Sequence, residues 1–361
     1  MATPKETIWL LEPHTAAKHK ILEAYLNAWF PIINKISRTI NYIDGFAGPG
    51  IYSKGEPGSP IIALNVANSH KTELIGKLHF VFIEERKDRV VNLDEEIKKL
   101  TLKPNYNVHV INGKFHEVVH EALGNLKKDG KILAPTFVFI DPFGFSGIPA
   151  KIIEKFLSIP KVEVFINFAV DSINRFFETK GCEFHINEMF GSDVVLEIMK
   201  TSKNRIRDLR DLYQLMLQAS AKYVRYFEMR NVDDRPIYYL FFATNNEVGH
   251  LKMKCAMWKE GKEGEFKFSD ATNPNQIIMF EKDNFGEEVF HLIKEKFGNG
   301  KYDVDIIKKF VENETAFLDK HCTQAMNYAE ENNLIEVDIV KVDGNKRRKG
   351  TFPPGVLITI K

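Results

Sequence analysis

A glycine-rich segment, Asp44-Gly45-Phe46-Ala47-Gly48-Pro49-Gly50, follows a short apolar run that is typical of a buried strand. Glycines after a strand let the backbone approach a ligand closely, because no Cβ stands in the way. The spacing is not G-x-G-x-x-G and no G-K-[ST] follows, which disfavours a dinucleotide or a phosphate-gripping loop. A carboxylate before the glycines suits a ligand with a cationic ammonium group. The alternative is a tight turn whose glycines serve only its geometry.

Two later strand ends carry polar groups that extend this interpretation. Glu84 ends the next apolar run, where a carboxylate can accept hydrogen bonds from both hydroxyls of a ribose. Asn112-Gly113 ends the third run, in a position to hold an adenine. Ammonium, ribose and adenine together describe S-adenosylmethionine. The expected cofactor-binding residues are Asp44, Gly45, Phe46, Ala47, Gly48, Gly50, Glu84, Asn112 and Gly113.

The segment Asp141-Pro142-Phe143-Gly144 follows the fourth apolar run. Methyl transfer is an in-line displacement that mainly requires the acceptor to be held about 3 Å away and aligned. An exocyclic amine is a poor nucleophile because its lone pair is conjugated with the ring. Asp141 and the carbonyl of Pro142 could accept its hydrogens, and Phe143 or Phe145 could stack on the base. The predicted catalytic residues are therefore Asp141, Pro142 and Phe143, and the alternative is a strand-ending turn.

Composition and charge exclude several other classes of protein. The three cysteines, Cys182, Cys255 and Cys322, show neither metal-site spacing nor a disulfide framework, so a reducing cytoplasm is expected. The eleven histidines form no ligand constellation, and we predict no metal. No signal peptide and no membrane span are predicted. The net charge of +1 means that any attraction to nucleic acid must come from a local patch.

The elements that must position these residues alternate between strand and helix. Because strands that alternate with helices form a parallel sheet covered on both faces, an α/β, doubly wound, Rossmann-like sheet is predicted. The predicted strands are 38–44, 78–83, 106–111, 136–140, 162–168 and 237–243. A helical insertion over about 171–232 separates the last two of these strands.

The polar stretch 260–276 is the best linker candidate, which predicts two domains, residues 1–275 and 276–361. The second contains three predicted helices, 285–297, 304–311 and 316–332, followed by strands 334–342 and 351–360. Asp343-Gly344-Asn345 between these strands is a hairpin signal. Three helices and a hairpin predict a winged-helix-like domain.

At these residues the chain resembles the three-Cys-motif partner family, TcmP, over nearly its whole length. The shared motifs are His14-Thr15 with Lys18-His19, Tyr42 to Gly50, Gly58-Ser59-Pro60, Phe139 to Gly144, Ile166-Asn167-Phe168, Tyr238-Tyr239-Leu240, Met253 to Trp258 and Thr351-Phe352-Pro353. The resemblance implies a class I methyltransferase-like Rossmann domain, a C-terminal winged helix, and a partner protein with three cysteines in a radical-enzyme-like motif. It does not supply a substrate.

Two narrower similarities bear on the chemistry. Asp44 to Gly50 is similar to the cofactor loop of DNA cytosine methyltransferases, D-x-F-A-G-x-G. Asp141 to Gly144 is similar to the D-P-F-G of tRNA guanine N2-dimethyltransferases and to the D-P-P-Y box of adenine N6-methyltransferases. Compared with that box, this chain lacks one proline and has its aromatic residue one place early. N-methylation of a nucleic-acid base is the leading hypothesis. A non-catalytic partner of a three-Cys-motif protein and methylation of a protein or small molecule stay open.

Further charged residues could contact a substrate. Lys346-Arg347-Arg348-Lys349, with Lys341, sits in the predicted wing and could bind phosphates, although such a tip is also commonly just solvated. Arg175 follows the fifth strand and could guide an anionic substrate or be ion-paired. His14 and Lys18 could cover the cofactor, but a plain surface cap is the favoured interpretation.

Overall fold

The computed structural model describes residues 4–179, 181–261, 266–271, 284–338 and 346–361. The chain divides into two compact units. The first comprises Met1–Glu260 with Lys267–Asn273, and the second comprises Gly261–Phe266 with Pro274–Lys361.

The first unit is built on one eight-stranded sheet. Its strands are β1 (Thr39–Asp44), β2 (Lys77–Glu84), β3 (Tyr106–Asn112), β4 (Thr136–Ile140), β5 (Val162–Phe168), β6 (Tyr223–Arg230), β7 (Pro236–Thr244) and β8 (Lys267–Ser269). Their order is β3-β2-β1-β4-β5-β7-β6-β8. The pairings among β1 to β5 are parallel, whereas β7 runs antiparallel to both β5 and β6.

Helices cover both faces of this sheet. They are α1 (Pro13–Ile36), α2 (Ser59–Asn68), α3 (Lys87–Lys98), α4 (Phe115–Lys128), α5 (Ala150–Ser158), α6 (Val170–Phe176), α7 (Cys182–Phe190), α8 (Val194–Thr201), α9 (Arg205–Gln218) and α10 (Glu247–Glu260). Alternate residues of β4 serve opposite faces: Val138 packs in a core with α5 and α9, while Phe137 meets Tyr25 of α1. Because both faces are covered, β4 and β5 are buried throughout. The predicted α/β, doubly wound sheet is confirmed.

The strand order reverses between β1 and β4, whose neighbours are β2 and β5. Consecutive crossovers diverge there, which leaves a crevice at the carboxyl ends of the two strands. Asp44 ends β1 and Asp141 directly follows β4. The two carboxylate-bearing motifs therefore lie at the switch point, where ligands bind in sheets of this kind.

Two local predictions are wrong. The last part of the predicted helical insertion is strand β6, because alternate residues such as Phe227 and Met229 are buried in the ladder with β7. The predicted linker contains β8, which pairs parallel with β6.

Within its described residues, the second unit contains three helices and a three-stranded antiparallel sheet. Its elements are α11 (Gly286–Phe297), β9 (Gly300–Asp303), α12 (Val304–Glu314), α13 (Asp319–Glu331), β10 (Ile335–Val337) and β11 (Leu357–Ile360). The sheet order is β10-β11-β9, so the sequence analysis missed one strand, β9. Lys341 and the predicted hairpin turn Asp343-Gly344-Asn345 lie outside the described residues. Over the described part of the chain, no helix has the length and apolar character that a membrane crossing requires.

Candidate functional site

A cavity of about 400 Å³ lies beside the loops that follow β1 and β4. It is lined by five parts of the first unit: the N-terminal segment with α1, the glycine-rich loop with the start of α2, the segment after β4, the end of β5 with α6, and the start of β7. Of the predicted site residues, those that line it are Phe46, Ala47, Gly48, Gly50, Asp141, Pro142, Phe143 and Arg175. The predicted cofactor loop and the predicted catalytic segment therefore share one cavity.

Two glycines of the loop have backbone conformations that favour glycine. Gly48 has φ +64° and Gly50 has φ +81°, both in the left-handed region. A Cβ on Gly50 would also lie 2.7 Å from Cδ1 of Leu93, which is too close. A Cβ on Gly48 would have Trp9 as its neighbour at 3.7 Å. The loop thus turns tightly and exposes its Gly48 backbone to the cavity.

Asp44 organises the loop from a fully buried position. Its Oδ1 accepts a hydrogen bond from the Phe46 amide at 3.2 Å, and Ser59 at the start of α2 donates a second. Burial raises the pKa of Asp44 to about 7, although these two hydrogen bonds favour the ionised form. The predicted carboxylate therefore contacts the loop and α2, and any effect it has on a cationic ligand acts through the field at the cavity.

Glu84 is also occupied by backbone groups. Its Oε2 accepts a hydrogen bond from the Gly48 amide at 2.9 Å, and its Oε1 accepts one from the Arg86 amide at 2.8 Å. Asn112 Nδ2 donates to the carbonyls of Glu84 and Glu85, and the Gly113 amide donates to that of Glu84. The structure thus gathers the predicted ribose and adenine residues at one sheet edge, where they hold the ends of β2 and β3 and the loop together.

Asp141 lies between two donors that sequence reasoning did not connect with it. Its Oδ2 is 2.5 Å from Nζ of Lys18, and its Oδ1 accepts a hydrogen bond from Asn167 Nδ2 at 2.7 Å. Lys18 comes from α1 and Asn167 from β5, and both also line the cavity. An ionised carboxylate has about four lone-pair positions, so Asp141 keeps acceptor capacity for a ligand.

The surface-cap interpretation of His14 and Lys18 is wrong, because only about 4% of each residue is exposed. His14 Nδ1 lies 2.7 Å from Asp270 Oδ2, and Tyr238 donates its hydroxyl hydrogen to the His14 carbonyl at 3.2 Å. The neighbouring His19 is buried, and its burial, assisted by the charge of Lys18, lowers its pKa to about 3. This turn of α1 therefore forms one inner wall of the cavity.

An aromatic cluster holds Phe143. Trp9 meets Phe143 edge-on at 5.3 Å between ring centroids, and the Arg89 guanidinium lies over both rings, at 4.6 Å from Trp9 and 5.2 Å from Phe143. Trp9 also contacts Tyr52 at 5.7 Å. Phe145, the alternative base-stacking residue, lies in the core below α5, so that part of the prediction is wrong. Nothing in the sequence around Trp9 signalled this contact.

Arg175 is ion-paired, as one of its two interpretations predicted. Its guanidinium pairs with Asp171 at 2.7 Å, one helical turn earlier in α6, and its side chain is about half exposed. Both residues line the cavity. The ion pair therefore fixes an accessible guanidinium at the rim.

The basic segment of the second unit divides into two kinds of residue. Lys346, Arg348 and Lys349 are exposed, whereas the Arg347 side chain is only 7% exposed. The Arg347 guanidinium pairs with both carboxylate oxygens of Glu330 in α13 and lies over the Phe352 ring. The prediction that Arg347 contacts phosphate is therefore wrong, because its guanidinium already forms a buried ion pair with Glu330.

No metal-binding cluster of three or more His, Cys, Asp or Glu residues occurs in the described ranges.

No family model and no curated protein matches the chain. Among solved structures, it is similar to Trm1 from Pyrococcus horikoshii with S-adenosyl-L-methionine, at 11% identity and a TM-score of 0.37, over 99% of this chain and 93% of that chain. It is also similar to a DUF574 family protein from Streptomyces avermitilis, at 10% identity and a TM-score of 0.35, over 64% of this chain and 84% of that chain. A third similar structure is the O-methyltransferase from Bacillus cereus in complex with SAH, at 13% identity and a TM-score of 0.33, over 62% of this chain and 80% of that chain.

Proposed function

We propose that this protein is an S-adenosylmethionine-dependent methyltransferase that methylates an exocyclic nitrogen of a nucleic-acid base. The observation that carries the proposal is that Asp141 and the Gly48 backbone line the same cavity at the strand switch point. The first is a hydrogen-bond acceptor suited to an amine, and the second is a close-approach loop suited to a cofactor. Methyl transfer requires these two functions at adjacent positions.

The residues present fit the cofactor. The left-handed Gly48 leaves room where a larger residue would project a side chain, and Asp44 places a titratable carboxyl behind the loop. The cation of the bound cofactor would favour the ionised form of Asp44. When bound, S-adenosylmethionine supplies an activated methyl group on sulfur.

The chain's own groups act on the acceptor. The free lone pairs of Asp141 and the carbonyl of Pro142 accept hydrogen bonds from an amine, which turns its nitrogen lone pair toward the cofactor. Asn167 fixes the Asp141 carboxylate at 2.7 Å, so the alignment is set before the substrate arrives. The aromatic rings of Phe143, Tyr52 and Tyr238 supply apolar walls against which a flat base can pack.

The second unit fits a recognition role. Its element order, helix, strand, two helices and two strands, agrees with a winged helix, and we propose that assignment. The exposed Lys346, Arg348 and Lys349 could contact phosphates, which would position a nucleic acid without reading its sequence.

A second function is favoured by one observation. Both oxygens of Asp141 already have partners, Lys18 and Asn167, as would suit a carboxylate with a purely structural role. The protein would then be a non-catalytic, methyltransferase-like partner of a three-Cys-motif protein. Co-purification of such a partner, together with failure to transfer methyl groups, would favour this alternative.

The test combines binding and transfer on the full chain. Calorimetry with S-adenosylmethionine measures cofactor binding. We expect a Kd in the micromolar range, which corresponds to a binding free energy of about −8 kcal/mol. Incubation with the labelled cofactor and total cellular RNA and DNA then measures transfer. Label recovered on base nitrogen supports the proposal, whereas binding without transfer to any acceptor supports the partner function.

A further inference from the structure

The Lys18 ammonium and the Asp141 carboxylate form a donor and an acceptor side by side at the cavity. Nζ and Oδ2 are 2.5 Å apart, and both residues line the cavity. The ammonium has three hydrogens, of which one is directed at Asp141, while the Tyr238 ring centroid lies 5.4 Å from Nζ. The pair can thus offer a ligand one hydrogen and one lone pair at neighbouring points.

The chain treats a purely structural buried carboxylate differently. Glu163 in β5 accepts hydrogen bonds from the hydroxyls of Tyr25 at 2.6 Å and Thr244 at 2.8 Å, both neutral donors. Tyr25 belongs to α1, as does Lys18, so the same helix satisfies one carboxylate with a hydroxyl and the other with an ammonium. Burying a cation is costly, and that cost is unnecessary where a hydroxyl suffices. The cation beside Asp141 is therefore explained better by the ligand than by the fold.

A ligand complementary to this pair presents a donor and an acceptor that are also side by side. An amino group attached to a ring carbon next to an unprotonated ring nitrogen has this arrangement, with a single carbon between the two nitrogens. Adenine, cytosine and guanine all carry such an edge. Hydroxyl acceptors and aliphatic amines lack the second nitrogen.

We infer that Lys18 is a specificity-determining residue that donates to the ring nitrogen adjacent to the methylated amine, while Asp141 accepts from that amine. The inference rests on the proposed function and adds to it the atom that Lys18 recognises, the unprotonated ring nitrogen next to the amino group. Lys18 additionally positions the carboxylate, because its hydrogen bond to Oδ2 fixes the direction of the remaining lone pairs.

The test measures binding of free nucleosides to the full chain saturated with S-adenosylhomocysteine. The probes are adenosine, cytidine and guanosine, each compared with the deaza analogue in which CH replaces the ring nitrogen next to the amino group. We expect at least one nucleoside to bind about tenfold or more tightly than its analogue, because the analogue cannot accept a hydrogen bond from the charged donor. Equal affinities within every pair, or no nucleoside binding at all, would overturn the inference.

Variants then assign the discrimination to Lys18. Lys18→Met should abolish the difference between nucleoside and analogue, and Lys18→Arg, which keeps a cationic donor, should retain part of it. Lys20→Met is the matched control, because Lys20 lies on the same helix with its side chain 66% exposed. If Lys18→Met distinguishes nucleosides from their analogues as well as the wild type does, Lys18 is not the residue that recognises the ring nitrogen. Should that variant fail to fold, the wild-type comparison and Lys18→Arg still decide.

The two proposals can fail separately. Methyl transfer to a base nitrogen, together with equal affinities for every nucleoside and its analogue, would leave the proposed function intact and contradict the role of Lys18. Discrimination between nucleosides and analogues without any methyl transfer would support Lys18 and contradict the catalytic function.

Discussion

Trp9 and Phe143 are 134 positions apart in the sequence, yet their rings meet edge-on with 5.3 Å between the ring centroids. Arg89 lies over both rings, and the carbonyl of Pro4 accepts a hydrogen bond from Arg89 at 2.8 Å. The N-terminal segment is thereby attached to α3 and forms part of the cavity wall. A residue far from either sequence motif is therefore placed next to the glycine-rich loop.

This contact predicts that Trp9 contributes to cofactor binding. Trp9→Ala should weaken S-adenosylmethionine binding about fivefold, the scale of one aromatic pair, while Trp9→Phe should keep most of the affinity. Calorimetric titration of the two variants measures the difference. Wild-type affinity in Trp9→Ala would show that the segment packs against the loop without supporting the ligand.

Gly48 gives a sharper test of the loop. Gly48→Val should abolish cofactor binding, because the new side chain projects from a residue that lines the cavity. The matched control is Gly55→Val: Gly55 has φ +90° and is exposed, so it carries comparable backbone strain outside the cavity. Both variants should lose about 1 kcal/mol or more of stability, and only the first should lose binding. Equal titration curves for Gly48→Val and wild type would reduce the loop to a turn.

Asp44 predicts how stability depends on pH. Its pKa is raised to about 7 by burial in the folded protein, whereas an unfolded aspartate titrates near about 4. The folded state therefore holds the proton more strongly, and the stability contributed by protonation is lost as the pH rises from about 4 through about 7. Asp44→Asn carries no such proton and keeps an acceptor for the Phe46 amide.

The measurement is the difference in Tm between Asp44→Asn and wild type, taken at intervals between about pH 5 and pH 8. The difference should shift in favour of Asp44→Asn as the pH rises, because only the wild type must bury a charge. Other titrating groups largely cancel in the difference. A Tm difference that is constant over this range would mean that Asp44 titrates as an exposed aspartate does.

The basic segment of the second unit predicts that substitution of two adjacent arginines changes stability by very different amounts. Arg347→Ala breaks the buried pair with Glu330 and should lower the free energy of unfolding by about 2 kcal/mol. Arg348→Ala, at an exposed position, should change it by less than about 0.5 kcal/mol. Denaturant titrations provide the comparison, and equal stabilities for the two variants would contradict the assignment.

The exposed residues provide a separate prediction about nucleic acid. Neutralising Lys346, Arg348 and Lys349 together should weaken binding to duplex DNA of any sequence. The slope of the logarithm of the binding constant against the logarithm of the salt concentration should become less steep by roughly 0.9 for each phosphate that the variant no longer neutralises. Binding measured at several salt concentrations gives the slope. A wild-type chain whose affinity for RNA and DNA does not change with salt would exclude this role.

The sequence predicted the sheet well because its strongest signals are local. The continuous apolar runs of β4 and β5 are buried on both faces, and the glycines of the loop report backbone conformation directly. Strand β6 was missed because its alternation is weak: Phe227 and Met229 are buried, while the other six residues of the strand are only partly so.

The partners in the site were harder to predict because they come from distant segments. Lys18 reads as an ordinary surface residue of a helix, and only the packing of α1 against the sheet brings it to Asp141. Arg347 lies in a run of four basic residues, and nothing in that run shows which one turns inward to Glu330. Side-chain pairing across the fold, unlike strand pattern, has no local sequence signal.

The measurement that bears most directly on the proposed function compares wild type with Asp141→Asn. Asparagine keeps the size of the side chain but removes its charge and half of its acceptor capacity. Each protein is titrated with S-adenosylmethionine and then given the labelled cofactor with total cellular RNA and DNA. We predict equal cofactor affinities, methyl label on base nitrogen for the wild type, and a loss of transfer of about 100-fold or more for Asp141→Asn. Equal transfer by the two proteins, or no transfer to any acceptor by the wild type, would contradict the proposal.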